Sequence, residues 1–277
     1  MRKFVLIVFV MVLFAPGTAD AKKKNRAKTF ENLPYSLTEM AAKNDSIIHE
    51  GYSLYLKEKL AWTAEDMFFA ECNRKEIVQG SLISGIFPDF SCIFYNLKTR
   101  QCIFEVKMNV EKGEAFGIDS IRVLTDMELD KINLQSRLYN AVYSLDVEIN
   151  EPPQGCSFNF DWIRIDENLF RVFVIMGCET PHVIPWGNDL SYDCDSLGNV
   201  LNVRKYHHSS ILIPTDMNGE KVRQVFHSHT DLHPLISSTD IAIFLLYGEE
   251  LEGFRVLNNG IYYCYDKKSN SISIITP

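Results

Sequence analysis

The stretch 226–240 of the 277-residue chain reads Phe226-His227-Ser228-His229-Thr230-Asp231-Leu232-His233-Pro234-Leu235-Ile236-Ser237-Ser238-Thr239-Asp240. The residues up to His229 form a predicted strand over 222–229, and the residues from Ser237 open a predicted helix over 237–247. Alternate residues of a strand point to one face, so His227 and His229 direct their imidazoles to the same place. Asp240, at the start of the helix, brings a carboxylate to that place. Two imidazoles and a carboxylate suit a zinc ion and leave a fourth position for water, which ionises near neutral pH when bound and becomes a nucleophile. Ser237-x-x-Asp240 serves equally as an N-cap pair that satisfies amides at a helix start with no metal involved.

His227, His229, Ser237 and Asp240 match the signature H-x-H-x7-S-x2-D, and the segment from near Asp166 to the C-terminus resembles the JAMM/MPN family of zinc metalloproteases. The resemblance implies that His227, His229 and Asp240 hold zinc, that Ser237 stabilises the developing oxyanion, and that a Glu ahead of the first buried strand is the general base. Two departures accompany it. Thr230 stands where the family usually has Pro, and no Glu falls in register before the strand predicted over 169–176. Glu167 and Glu179 are both within the expected distance of His227. Glu167, just ahead of that strand, is taken as the base, and Glu179 reads as a turn residue. A barrel phosphoesterase or amidohydrolase also opens with His-x-His, but its further ligands need later strands, and too little chain follows His229. His233 reads as a loop residue. His207-His208 reads as a strand end, because adjacent strand residues face opposite sides. Gly177, Gly187 and Gly198 form no phosphate-binding loop.

Working outward, 170–176 is a nearly continuous apolar run, short enough for a strand buried on both faces. Turn signals at 187–189 and 197–199 separate strands at 190–194 and 200–206, and 260–265 with 271–275 reads as a terminal hairpin. Before the Pro-Pro-Gly break at 150–155, helical spacing runs from Ser36 to Glu71. Strands follow around 92–95 and 102–106. A capping box at Thr125-Asp126-Met127-Glu128 then opens a helix with Leu129, Ile132, Leu138, Val142 and Leu145 on its apolar face. The fold class expected is α+β: a mixed helical and β N-terminal region over 36–150, and a JAMM-like part over 156–277 built as a β-meander or mixed sheet with flanking helices.

Arg2 and Lys3, an apolar run to Phe14, and Ala19-Asp20-Ala21 form a signal peptide over 1–21, followed by a basic leader over 22–35. The apolar run is too short to span a bilayer. The expectation is an exported chain, periplasmic or extracellular, with no stable membrane anchor after cleavage. A net charge of −8 argues against nucleic acid as a partner. All seven cysteines lie beyond the signal peptide. Cys92 and Cys102 flank a predicted hairpin and are the expected disulfide; the alternative is buried free thiols. Two functions follow from the resemblance: a zinc-dependent peptidase or isopeptidase acting on a peptide or protein, or a binding module that keeps the fold and the metal without turnover.

Overall fold

In the computed structural model, residues 33–145, 147, 149–217 and 220–275 are described; the expected signal peptide and most of the expected basic leader lie outside them. The fold is α+β with mixed sheets. Helix α1, Leu37–Glu71, opens on a Ser36/Glu39 capping box. It is followed by an antiparallel sheet of β1 (Gly80–Ile86), β2 (Asp89–Asn96), β3 (Gln101–Asn109) and β4 (Glu114–Ile118), with β5 (Arg122–Val123) also paired to β3. Helix α2, Asp126–Tyr143, starts at the Thr125/Glu128 capping box.

Beyond the Pro-Pro-Gly break, β6 (Cys156–Asp166), β7 (Leu169–Cys178), β9 (Leu190–Asp195) and β10 (Val200–Lys205) form a second antiparallel sheet in the order β10-β9-β7-β6. Strand β8 (Val183–Gly187) pairs with β11 (Ser210–Pro214), and β12 (Asp216–Met217) pairs with β13 (Glu220–Lys221). The last sheet is β14 (Val225–Ser228), β15 (Gly253–Asn258), β16 (Ile261–Asp266) and β17 (Ser271–Ile275). Its first pair is parallel, because α3 (Ser238–Tyr247) crosses between β14 and β15. The strand predicted over 222–229 is therefore shorter, and the meander contains one βαβ crossover.

Strand β7 shows why its sequence is so apolar. Phe173 and Ile175 enter one core with Trp186, Phe244 and Phe254, while Val172 and Val174 enter another with Leu190 and Tyr192. Helix α1 is shared in the same way along its length. Met40 and Leu54 belong to the core around α3, whereas Leu60, Ala64 and Phe68 pack under β2 and β3. Gly51 allows the close approach of α1 to α3: a Cβ there would sit 2.8 Å from both the Ser238 carbonyl oxygen and Ile241 Cβ.

The expected Cys92–Cys102 bridge is not formed. Cys92 lies opposite Val106 and Cys102 opposite Tyr95, three positions along β2, and an irregularity at Phe94/Tyr95 shifts the register. The two thiols enter different cores, Cys92 with Phe68 and Phe94, Cys102 with Leu82 and Ile132. Both are buried free thiols, and burial pushes Cys92 up to about 12 and Cys102 up to about 11.

Candidate metal centre

Three segments meet at the end of β14. His227 is buried on that strand and His229 lies just past its end, on the same side. Asp240 is in the first turn of α3, where Ser237 is the N-cap: the Asp240 amide donates to Ser237 Oγ at 3.0 Å, and the Ser237 amide donates to Asp240 Oδ2 at 2.8 Å. His207 comes from the loop between β10 and β11. Each of the four contributes a ligand atom, and these atoms lie within 4.8 Å of one another, so the group can hold a metal ion.

The Nε2 atoms face inward. His229 Nε2 is 3.0 Å from His227 Nε2 and 2.8 Å from His207 Nε2. Asp240 Oδ1 is 3.1 Å from His227 Nε2, and Oδ2 is 3.2 Å from His229 Nε2. The outer nitrogens settle the tautomers of two rings. His229 Nδ1 donates to the carbonyl of Leu235 at 2.7 Å and lies 3.0 Å from that of His233. His207 Nδ1 donates to Asp189 Oδ1 at 2.6 Å. A neutral imidazole that donates from Nδ1 presents its lone pair at Nε2, the arrangement a metal needs. Asp240 Oδ1 and His227 Nδ1 are buried without a hydrogen-bond partner. A buried carboxylate oxygen among imidazole lone pairs, lacking any aligned donor, fits a cation at the centre of the group.

Without a metal, the rings of the group differ in charge. Burial takes the His227 imidazolium down to about 4, against the pull of Asp240, so the ring is neutral at pH 7. Burial also disfavours the Asp240 carboxylate, but the three imidazoles hold its carboxyl well below the usual range. Burial works against protonation of His207 as well, yet Asp189 and Asp240 outweigh it and push the group up to about 9 in the absence of a metal. The ring of Trp186 lies 4.8 Å from that of His227, and Trp186 Nε1 donates to the Asp240 carbonyl at 3.0 Å. That contact fixes the start of α3 against β8.

Asp189 is delivered by the tight turn from β8 to β9. Gly187 has φ 87° and Asn188 has φ 57°, both left-handed, and a Cβ on Gly187 would run into the Ser209 carbonyl. The other carboxylate oxygen of Asp189 accepts from Thr239 Oγ1. Thr239 Oγ1 is 2.8 Å from Ser237 Oγ. Because the Thr239 proton goes to a carboxylate, the Ser237 hydroxyl donates to Thr239. Its proton is thereby committed within the protein, and Ser237 is buried.

The structure thus brings His227, His229, Ser237 and Asp240 together and adds His207 and Asp189. His207-His208, read from the sequence as a strand end and not a site, lies instead in the loop between β10 and β11, with His207 buried in the group and His208 exposed. The inward member of the pair was the available signal. Glu167 stands apart from the group. It is exposed in the β6–β7 turn, its amide donating to Asp166 Oδ1, and it precedes Val174, the residue of β7 paired beside Asp189, by seven residues, roughly 20 Å of strand. Glu179 is also exposed, beyond the other end of β7, with its amide donating to the Gly155 carbonyl. No family model, no curated protein and no solved structure matches the chain. The resemblance to the JAMM/MPN family therefore rests on the four motif residues.

Proposed function

We propose that the chain is an exported metal-binding module in which one zinc ion, held by His207, His227, His229 and Asp240, fastens the start of α3 to β14 and to the loop after β10. In this reading the module binds a peptide or protein outside the cytoplasm and does not cleave it. The observation that carries it is the completeness of the donor set. A hydrolytic zinc site keeps one position open for water, and in this reading His207 would fill that position. The four side chains are 5%, 3%, 0% and 0% exposed, which favours a closed, structural centre. Three imidazoles and one carboxylate are the donors of a tetrahedral zinc site, and such a site supplies folding energy. A cavity of about 330 Å³, walled in part by Tyr206, His233, Leu235 and Ser237, backs onto the loop whose carbonyls hold His229, so the ion would also shape that recess.

Hydrolysis by a metal-bound water is the second reading, favoured by the match of His227, His229, Ser237 and Asp240 to the JAMM/MPN signature. Cobalt substitution separates the two. A tetrahedral Co²⁺ absorption spectrum that is unchanged by azide or by a hydroxamate supports the closed centre. A spectrum that shifts on adding either ligand reveals an open position and returns the hydrolase reading to first place.

A further inference from the structure

Cys156 is the first residue of β6 and Cys178 the last of β7, and the antiparallel register sets them directly opposite each other. Directly opposed residues in such a pair have Cβ atoms about 4.5–5.5 Å apart, and a small backbone adjustment brings them within the reach of a cystine. Here the side chains already point together, with the sulfurs in contact at 2.8 Å. Both residues are half-buried, so a reagent reaches them from the surface. Among the described residues no other two cysteines are opposed on neighbouring strands. Cys194 faces Phe170 and Val200, Cys264 faces Arg255 and Ser273, and Cys92 and Cys102 enter separate cores.

We propose that Cys156 and Cys178 are a disulfide-forming pair that closes the open end of the β6–β7 hairpin. The step is a dithiol–disulfide exchange with a low-molecular-weight or protein disulfide as oxidant. The Cys178 thiolate attacks one sulfur of the oxidant, whose own S–S bond breaks and releases one thiolate. The Cys156 thiolate then attacks Cys178 in the mixed disulfide and releases the second. The protein loses two protons and two electrons, and the oxidant leaves as two thiols.

The surroundings suit this order. Burial opposes ionisation of Cys178, but hydrogen bonds from the Cys156 thiol and from Thr180 bring it below the ordinary thiol value. Burial and the proton shared with Cys178 push Cys156 up to about 12. The pair also has a structural position of consequence. The Cys178 amide donates to Tyr247 Oη at 3.1 Å, and Tyr247 is the last residue of α3. The bond would steady the C-terminal end of the helix whose first turn carries Asp240. It is independent of the metal, which acts at the other end.

The test is thiol mapping on the full secreted chain and on reduced protein reoxidised with glutathione disulfide. Both are alkylated after unfolding without reductant and digested for mass spectrometry. The expected result is two fewer alkylated cysteines than after reduction, with one cross-linked peptide pair containing Cys156 and Cys178. In the Cys156→Ser variant, Cys178 should be trapped as a mixed disulfide with glutathione. Alkylation of both Cys156 and Cys178 after reoxidation, or a cross-link joining either to a different cysteine, overturns the proposal. The wild-type experiment does not depend on whether the variant folds.

Discussion

Replacing Asp189 with Asn tests whether His207 is a ligand. Asp189 is buried, receives the His207 Nδ1 proton at 2.6 Å on one oxygen and the Thr239 hydroxyl on the other. An amide in its place can still accept from His207, and it can donate to Thr239 once the Thr239 hydroxyl turns its proton to Ser237, so the geometry survives and the charge is lost. A carboxylate behind an imidazole ligand fixes its tautomer and raises its basicity, and losing such a partner typically costs 10–100-fold in metal affinity. That corresponds to about 1.4–2.7 kcal/mol of binding free energy. The assay is a competition titration of zinc against a chromophoric chelator, with circular dichroism to confirm that the variant is folded. His207→Ala, which deletes the donor atom itself, should lose more than Asp189→Asn. If both variants hold zinc within about twofold of the parent protein, His207 is not a ligand and the closed centre is wrong.

Chelation should lower the melting temperature: at free zinc 100-fold above Kd the ion contributes about 2.7 kcal/mol, or about 5–10 °C for a chain of this size, and a melting curve indifferent to chelator and zinc would refute a stabilising ion. Glu58→Gln should remove a pH-dependent loss of stability. Burial first, and then the nearby Asp161 carboxylate, raise Glu58 to about 7, so its contribution is complete below its ordinary value of about 4.5 and is lost as pH rises through 7. The parent should lose about 2.5 kcal/mol from this group between pH 5 and pH 8, and urea midpoints with the same pH dependence in both proteins would count against the assignment. Gly51→Ala should cost about 1–2 kcal/mol, because overpacking against Ser238 and Ile241 outweighs the gain in helix propensity; a variant as stable as the parent would show that α1 and α3 can separate cheaply.

What could be read in advance followed from how local the determining interactions are. The meeting of His227, His229 and Asp240 depends on strand alternation and one helix start within fifteen residues, both visible in sequence. His207 and Asp189 arrive from separate loops, and their convergence is set by a left-handed turn at Gly187-Asn188 and by the pairing of β8 with β11. Neither leaves a pattern at fixed spacing. The cysteines make the same point. Cys92 and Cys102 looked opposed because they flank a short turn, but the hairpin turns about Lys98-Thr99, with Asn96 opposite Gln101, rather than midway between the two cysteines, so Cys92 falls opposite Val106. Cys156 and Cys178 are 22 positions apart, and only the full register of β6 on β7, including its shift between Arg164 and Asp166, places them face to face. Helix α1 carried a clear period, yet period alone does not reveal that its two halves serve different cores.

The two meanings of Ser237-x-x-Asp240 that the sequence left open are not alternatives. The capping box uses Ser237 Oγ to accept the Asp240 amide and Asp240 Oδ2 to accept the Ser237 amide. Asp240 Oδ1 remains without a hydrogen bond, buried and 3.1 Å from His227 Nε2. One carboxylate therefore fixes the helix start with one oxygen and offers the other to the centre. The positive end of the α3 dipole also favours the anion there, so the helix helps keep Asp240 charged. Ser237 is accounted for in the same network: its hydroxyl passes a hydrogen bond through Thr239 to Asp189 and so to His207. The motif residues and the two residues outside the motif form one connected unit, in which the helix cap, the carboxylate behind His207 and the proposed ligands hold one another in place.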